Sequence, residues 1–269
     1  MSDEVDELLS LGVGAARAAG ELLLSGRPAD LTVTTKSTPT DVVTQMDTAA
    51  ERLVATTIRA VRPDDAVLGE EGQGELSGGV TSGRRVRWIV DPIDGTVNYL
   101  YAIPQWAVSI AAEVDGVVEA GVVFDPSKDE LFTATRGGGA RLNGAPITAS
   151  ACADLSRALA GTGFAYDATV RARQAHIVAQ VLPRARDIRR FGAASLDLCA
   201  VGCGRLDAYF ERGLNLWDYA AAALIASEAG ARVEGLRGAA ASGEFLLAAT
   251  PGVFVALHDL LAALVADAG

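Results

Sequence analysis

The segment Asp91-Pro92-Ile93-Asp94-Gly95-Thr96 has the residue types of a metal-assisted phosphate site. It directly follows the apolar-rich run 86–90, so two carboxylates three residues apart stand at the end of a predicted strand. Carboxylate oxygens suit Mg²⁺, and backbone N–H groups at the start of a turn or helix suit phosphate oxygens. The segment therefore predicts that a metal ion and a phosphate group meet at this point of the chain.

Other acidic residues can join this site, although each also has a plain structural explanation. Glu70 follows the short apolar strand predicted at 66–68, and ligand sites in layered sheet proteins collect at such strand ends. Asp47 has the spacing of a capping box, and Asp218 opens a predicted helix, where a negative charge is favourable. Two Mg²⁺ ions about 3.5–4 Å apart need several carboxylates, and a backbone oxygen such as that of Ile93 can complete one coordination sphere. Taken together, the acidic residues favour a metal site.

The amino-acid composition is compatible with a metal-assisted phosphate site and argues against proteins that bind nucleic acids or membranes. The chain has 269 residues, of which half are apolar and 21% are charged, so it predicts a folded protein with one large domain or two tightly joined ones. Its formal net charge of −11 argues against a nucleic-acid or membrane surface. Bound cations would invert the local field for an anionic substrate. The charge is thus consistent with a metal-dependent phosphatase.

The cysteines and termini predict a cytoplasmic protein. Cys152, Cys199 and Cys203 are odd in number and lack the spacing of a disulfide framework, which indicates reduced thiols. The acidic start of the chain has no basic region leading into an apolar run, so we expect no signal peptide. The apolar stretch 254–268 is too short to span a bilayer.

The hydrophobic periodicity predicts two halves with different patterns. Helices are expected at 4–25, 44–62, 168–182, 193–202 and 217–229, and strands at 66–68, 86–90, 106–114, 117–124, 130–135, 159–163 and 206–211. Asn143-Gly144 predicts a two-residue hairpin turn. The first half, 1–148, is expected to form a mostly antiparallel sheet, and the second, 149–269, to alternate strands and helices. We expect the halves to pack closely as one unit.

Several motifs in order resemble those of the inositol monophosphatase family. They are Gly69-Glu70-Glu71, the run 91–99 and Trp217-Asp218-Tyr219-Ala220-Ala221, and the likeness extends from about residue 36 to 231. The resemblance implies an αβαβα layered sandwich of the inositol monophosphatase and fructose-1,6-bisphosphatase type, in the α+β or α/β class. It also implies a magnesium-dependent, lithium-sensitive phosphomonoesterase that forms a homodimer.

The same resemblance assigns roles to the acidic residues. It implies that Glu70, Asp91 and the Ile93 carbonyl hold one Mg²⁺ ion, that Asp91, Asp94 and Asp218 hold a second, and that Glu70 helps to place a weaker third. Thr96 and Asp47 would orient and deprotonate an attacking water, with Glu70 also in the catalytic set. The N–H groups of Gly95 and Thr96 would bind phosphate oxygens, and no phospho-enzyme would form.

The substrate contacts also follow from the resemblance. Glu211 matches a glutamate that accepts a hydroxyl of the sugar ring, and 192–194 match the segment that lines the ring. The implied substrate-binding residues are Lys36, Ile93, Asp94, Gly95, Thr96, Gly192, Ala193, Ala194, Glu211 and Asp218. A small phosphorylated polyol, inositol 1-phosphate, is the expected substrate, with neither nucleic acid nor membrane as a partner.

Three related substrates and one non-enzymatic role stay open at this point. Histidinol phosphate, fructose 1,6-bisphosphate and 3′-phosphoadenosine 5′-phosphate are the related substrates, and Arg189, Arg190 and Arg212 are the basic residues available for a second anionic group. Some bacterial relatives are linked to transcription complexes, so a regulatory binding protein on the same fold is the other alternative. That role predicts a decayed ligand set, whereas here every carboxylate and Thr96 are present.

Overall fold

In the computed structural model, which describes residues 2–28, 32–35, 42–72 and 85–267, helices and sheets alternate in five layers. The described residues form seven α-helices: α1 (Ser2–Ser25), α2 (Gln45–Val61), α3 (Thr96–Leu100), α4 (Ala168–Val181), α5 (Ala194–Gly202), α6 (Leu216–Glu228) and α7 (Pro251–Asp267). Their strands are β1 (Val33–Thr35), β2 (Val42–Thr44), β3 (Ala66–Gly69), β4 (Val86–Asp94), β5 (Ala107–Val114), β6 (Val117–Asp125), β7 (Glu130–Thr135), β8 (Gly139–Leu142), β9 (Ala145–Pro146), β10 (Leu159–Thr162), β11 (Asp187–Arg189), β12 (Ala208–Glu211), β13 (Arg232–Glu234) and β14 (Leu246–Ala249). The layered αβαβα sandwich expected from the motifs is confirmed.

The larger sheet contains seven strands in the order β3-β4-β5-β6-β7-β8-β9. Only the β3–β4 pair is parallel among these described strands, so the prediction of a mostly antiparallel sheet is confirmed. Asn143 and Gly144 have φ values of 49° and 81°, which a type I′ turn requires of its two central residues. This hairpin ends the sheet at the edge far from β3.

Helices α1 and α2 cover one face of this sheet. The apolar side chains of α1 recur at helical spacing, and Leu8, Ala16 and Leu23 are fully buried in the core beneath it. By length and composition alone, Asp3–Ser25 is apolar enough to cross a membrane. Packing within the protein accounts for these apolar side chains, because α1 packs on α2, β5 and β6.

Helices α5 and α6 fill the space between the two sheets. The smaller sheet has the order β11-β10-β12-β14-β13, and α4 and α7 cover its outer face. A single core cluster joins Ile89 and Val123 of the larger sheet to Leu198 of α5 and Leu246 of the smaller sheet. This shared core holds the ends of strands from both sheets next to the same two helices. The division of the chain at residue 148 stays a prediction.

The sequence did not predict β2, α3, β11, β13, β14 or α7. Helix α3 has only five residues, and β11 and β13 have three each, too short for a period to show. Helix α7 had a visible signal, because Val253, Leu257 and Leu261 recur every four residues and are fully buried.

Candidate active site

Strand pairing places the first two predicted metal ligands side by side. Strands β3 and β4 are parallel, and Gly69 stands opposite Val90. Glu70 and Asp91 are the next residues on each strand, so both carboxyl groups emerge at the same edge of the sheet, and their side chains are hydrogen-bonded to each other. The parallel register of β3 and β4 is therefore enough to account for this adjacency.

A β-bulge then redirects the chain towards Asp94. Asp91 pairs with Ser109, whereas Asp94 pairs with Ala107, so β4 has one residue more than β5 across this interval. Such a bulge re-aims the side chains that follow it. The Asp91 carboxylate closes the bend by accepting a hydrogen bond of 3.0 Å from the N–H of Ile93. Asp91 and Asp94 therefore both reach the same cleft.

Burial raises the pKa values of three carboxyl groups, and repulsion between carboxylates adds to the shift in two of them. Burial raises the pKa of Asp91 well above its usual range, and the charges of Glu70, Asp94 and Asp218 raise it further. The pKa of Asp218 is likewise raised well above normal by burial and then by the charge of Asp94. Burial also raises the pKa of Asp94, although hydrogen bonds from Ser195 oppose the shift. A cation among these groups would relieve the repulsion.

The donor set fits Mg²⁺. Four carboxyl groups and the Ile93 carbonyl offer hard oxygen ligands, which this ion prefers. Among the described residues, no group of three or more acidic, histidine or cysteine side chains is arranged so that it could hold a metal ion. The fit therefore rests on the oxygen donors and on the repulsion between the carboxylates.

Asp47 contacts Thr96 from the first turn of α2. Its Oδ2 accepts hydrogen bonds from the N–H of Thr44 at 2.8 Å and from the Thr44 hydroxyl at 2.7 Å, which completes a capping box. Its other oxygen, Oδ1, lies 3.0 Å from the Thr96 hydroxyl. Burial raises the pKa of Asp47, while the hydrogen bonds from Thr44 and Thr96 lower it. A buried carboxylate thus stands behind the threonine at the start of α3.

The backbone conformation and tight packing at Gly95 disfavour any larger residue. Gly95 has φ +95° and precedes α3 in the left-handed region, where a Cβ atom would lie 3.0 Å from the Gln105 carbonyl. The buried Asn98 side chain donates hydrogen bonds to the carbonyls of Gln105 and Phe191. It thereby ties α3 to the segment that contains Gly192.

Asp94 caps the start of α5 from another part of the chain. Ala193, the residue at the helix start, has no capping side chain of its own. The Asp94 carboxylate instead accepts hydrogen bonds from the N–H groups of Ala194 (3.1 Å) and Ser195 (2.7 Å) and from the Ser195 hydroxyl (2.5 Å). These bonds fix 192–194 against the β4 bulge.

Glu211 is held at the far side of the cleft by Tyr209 and Gly163. It ends β12, and its carboxylate accepts a short hydrogen bond from the buried Tyr209 hydroxyl. A Cβ atom on Gly163 would lie 2.0 Å from Glu211 Oε2, so the carboxylate rests directly on the glycine backbone. Burial raises the pKa of Glu211 to about 7, although the Tyr209 hydrogen bond and the charge of Arg190 lower it.

One cleft of about 390 Å³ brings most of the predicted site residues together. Those that line it are Glu70, Asp91, Ile93, Asp94, Gly95, Thr96, Gly192, Ala193, Ala194, Glu211 and Asp218. Asp47 lies behind Thr96, to which it is hydrogen-bonded. Lys36 lies outside the described residues. Arg190 and Arg212 also line the cleft, whereas Arg189 forms an ion pair with Asp187.

Sequence reasoning missed four residues that build or face the site. Glu51 is fully buried on α2, and its carboxylate accepts a 2.7 Å hydrogen bond from the N–H of Glu71, next to Glu70. Its position four residues after Asp47 places both on one helix face, which was a usable signal. Tyr209 lies two residues before Glu211 on β12, so both share one face of the strand, which was also a usable signal. Asn98 and Asp197 gave no such signal, because Asn98 contacts Phe191, 93 residues along the chain, and Asp197 faces a cleft that both halves line.

Comparison with known proteins gives consistent matches over most of the chain. Residues 4–269 match the model of a family described as the inositol monophosphatase family. The chain is 47% identical over 240 residues to the inositol-1-monophosphatase SuhB of Mycobacterium tuberculosis, covering 87% of this chain and 82% of the relative. It is 41% identical over 233 residues to the Nus factor SuhB of Escherichia coli, covering 86% of each. The crystal structure of the extragenic suppressor protein SuhB from Bartonella henselae superposes with a TM-score of 0.88 at 35% identity, covering 95% of this chain and 98% of that one.

Proposed function

Because the chain belongs to the inositol monophosphatase family, a family of generally metal-dependent phosphatases, we propose that it is a Mg²⁺-dependent phosphomonoesterase that hydrolyses inositol 1-phosphate to inositol and phosphate. One observation carries the proposal. A single cleft has mutually repelling carboxyl groups at the sheet edge and Glu211 on its other side. That arrangement suits a substrate with a phosphate at one end and hydroxyl groups at the other.

The residues that would hold Mg²⁺ are Glu70, Asp91, the Ile93 carbonyl, Asp94 and Asp218. When bound, the ion would polarise the phosphoryl oxygens, stabilise the leaving oxygen and lower the pKa of a nearby water. The carboxyl groups would be fully ionised in that state, because the positive charge offsets the repulsion that raises their pKa values. The N–H groups of Gly95 and Thr96 would contact the phosphate, because a glycine has no side chain and lets the phosphate oxygens approach the backbone closely.

Thr96 and Asp47 would remove the proton from the attacking water. The Thr96 hydroxyl has one proton and lies 3.0 Å from both Asp47 Oδ1 and the Ile93 carbonyl. When it donates to Asp47, its oxygen is able to accept a hydrogen bond from water. As the water oxygen bonds to phosphorus, its proton passes to Thr96 and the Thr96 proton passes to Asp47. The bond from phosphorus to the inositol oxygen breaks, and that oxygen takes up a proton from a second water molecule. The hydroxide that this leaves is neutralised when Asp47 releases its proton to solvent.

Glu211 would select the substrate by accepting a hydroxyl of the inositol ring. A carboxylate that is held in place by Tyr209 discriminates strongly against ligands without a matching hydroxyl. Arg190 and Arg212 keep open the bisphosphate and nucleotide alternatives, because both line the cleft. Histidinol phosphate remains compatible with the acidic groups.

The Nus factor name of the Escherichia coli relative favours a second candidate, a binding role in a transcription complex. The set of acidic residues in the cleft supports catalysis, since a purely structural protein gains nothing from buried, mutually repelling carboxyl groups. Two or three Mg²⁺ ions per site, lithium sensitivity, a homodimer and a cytoplasmic location are further proposals.

Phosphate release from four substrates, with Mg²⁺ or with EDTA, tests the proposal. The substrates are inositol 1-phosphate, histidinol phosphate, fructose 1,6-bisphosphate and 3′-phosphoadenosine 5′-phosphate. We expect Mg²⁺-dependent turnover with the highest kcat/KM for inositol 1-phosphate. A preference for another substrate would replace inositol 1-phosphate and keep the metal site. No turnover of any of the four would refute the proposed activity and favour the binding role.

A further inference from the structure

Asp197 is a buried carboxyl group that faces the cleft and has no role in the proposed reaction. It lies in the first turns of α5, is 1% exposed and lines the cleft. Of all carboxyl oxygens in the described part of the chain, its Oδ1 is the one that is buried without a hydrogen-bond partner. An unpaired acceptor in a protein interior is costly, so a ligand that supplies the missing donor would offset that cost.

The acidic neighbours of Asp197 are already engaged with the protein. Asp94 accepts its hydrogen bonds from the start of α5, and Glu211 accepts one from Tyr209. Burial raises the pKa of Asp197 well above its usual range, the charges of Asp94 and Glu211 raise it further, and the charge of Arg190 lowers it. All of these groups line the same cleft. Asp197 therefore adds acceptor capacity beside Glu211 that no described protein group uses.

We propose that Asp197 is a specificity-determining residue that accepts a hydrogen bond from a second hydroxyl of the substrate, near the one that Glu211 accepts. The inference rests on the proposed function, because it concerns the polyol end of the same substrate. A carboxylate oxygen pairs with an O–H donor and repels a phosphate oxygen. Asp197 and Glu211 together thus select a polyol with neighbouring hydroxyl groups.

A favourable interaction with the α5 dipole is the competing explanation for Asp197. That interaction stabilises the folded protein equally with any substrate. A hydrogen bond to the substrate instead changes the preference between a substrate that has the hydroxyl and one that lacks it. The ratio of two kcat/KM values therefore separates the explanations.

The experiment compares the wild-type enzyme with Asp197→Leu and Asp197→Asn on inositol 1-phosphate and on p-nitrophenyl phosphate, which carries no hydroxyl groups on its leaving group. Asp197→Leu is expected to lower kcat/KM for inositol 1-phosphate by about 10- to 100-fold and that for p-nitrophenyl phosphate by less than about threefold. Asp197→Asn keeps an acceptor oxygen and is expected to restore part of the preference. Thermal unfolding checks that each variant is folded, and Asp259→Leu, at an exposed position of α7, is the matched control.

Deoxy substrates identify the hydroxyl itself. Among the monodeoxy inositol phosphates, one is expected to be a poor substrate of the wild-type enzyme, while Asp197→Leu no longer distinguishes it from the parent compound. Equal losses on both substrates, or an unchanged preference in both variants, would overturn the role of Asp197. If the wild-type enzyme itself shows no preference for inositol 1-phosphate over p-nitrophenyl phosphate, the proposed substrate fails and this inference fails with it.

Discussion

Replacing Glu211 by glutamine is expected to stabilise the metal-free protein at alkaline pH. The pKa of Glu211 is raised from 4.5 to about 7, mainly by burial, so its charged form is disfavoured in the folded state. Because its pKa is raised, Glu211 makes a contribution to the free energy of unfolding that is fully present below about pH 4.5 and is lost as the pH rises through about 7. Glutamine does not ionise, and this loss should therefore be absent in the variant.

The size of the effect follows from the same pKa. Each unit of difference between the pKa of Glu211 in the unfolded and in the folded protein corresponds to about 1.4 kcal/mol. Its charge therefore lowers the free energy of unfolding by about 3 kcal/mol at pH 8. At pH 5 only a small part of this cost is present. The free energy of unfolding of Glu211→Gln, relative to the wild-type protein, should therefore rise by about 2 kcal/mol between pH 5 and pH 8. The Glu211 charge also raises the pKa values of Asp197 and Asp218, which adds to the gain.

Urea unfolding at several pH values between 5 and 8 measures this difference. EDTA is included, because metal binding to the folded state adds its own pH dependence. Glu244→Gln makes the same chemical change at an exposed position and should show a flat difference across the range. If the Glu211→Gln difference is also flat, or falls towards pH 8, the buried and disfavoured charge inferred for Glu211 is wrong.

Four further predictions concern the acidic end of the cleft, where Mg²⁺ is proposed to bind. Asp91→Asn should raise the midpoint of urea unfolding in EDTA at pH 8, because it removes a charge that neighbouring carboxylates repel. It should also lower Mg²⁺-dependent turnover by more than about 100-fold. A lower urea midpoint would contradict the repulsion. Asp94→Asn should instead destabilise the protein by about 1–3 kcal/mol in the same assay, since an amide has only one oxygen to accept the three donors of α5; unchanged stability would argue against the cap. Thr96→Val should lower kcat by about 10²–10⁴-fold in steady-state kinetics with little change in the half-saturating Mg²⁺ concentration, and near-normal kcat would exclude the relay to Asp47. Glu51→Ala should raise the half-saturating Mg²⁺ concentration about tenfold in a Mg²⁺ titration of the activity, because it frees the turn beside Glu70, a proposed metal ligand. An unchanged value would remove Glu51 from that role.

The sequence points to the acidic residues at the sheet edge of the cleft more directly than to some residues on its far side. Glu70, Asp91 and Asp94 are close in sequence to strand ends, and the parallel register of β3 and β4 brings Glu70 and Asp91 together. Asp197 could not be predicted in this way, because its place at the cleft depends on how α5 packs beside the β4 bulge. Long strands and amphipathic helices were predictable from their periods, whereas α3 was too short to show one.

Asp47 shows that one carboxyl group can both cap a helix and take part in the proposed proton transfer. Its spacing from Thr44 indicates a capping box, and the structure contains that box. The box uses Oδ2 alone, so Oδ1 remains directed at Thr96, 49 residues along the chain. Asp218 repeats the pattern at the start of α6, where one carboxylate oxygen accepts the N–H of Asn215 while the residue lines the cleft. In both cases the cap fixes the rotamer of the carboxylate, and a fixed carboxylate is what a proton acceptor or a metal ligand requires.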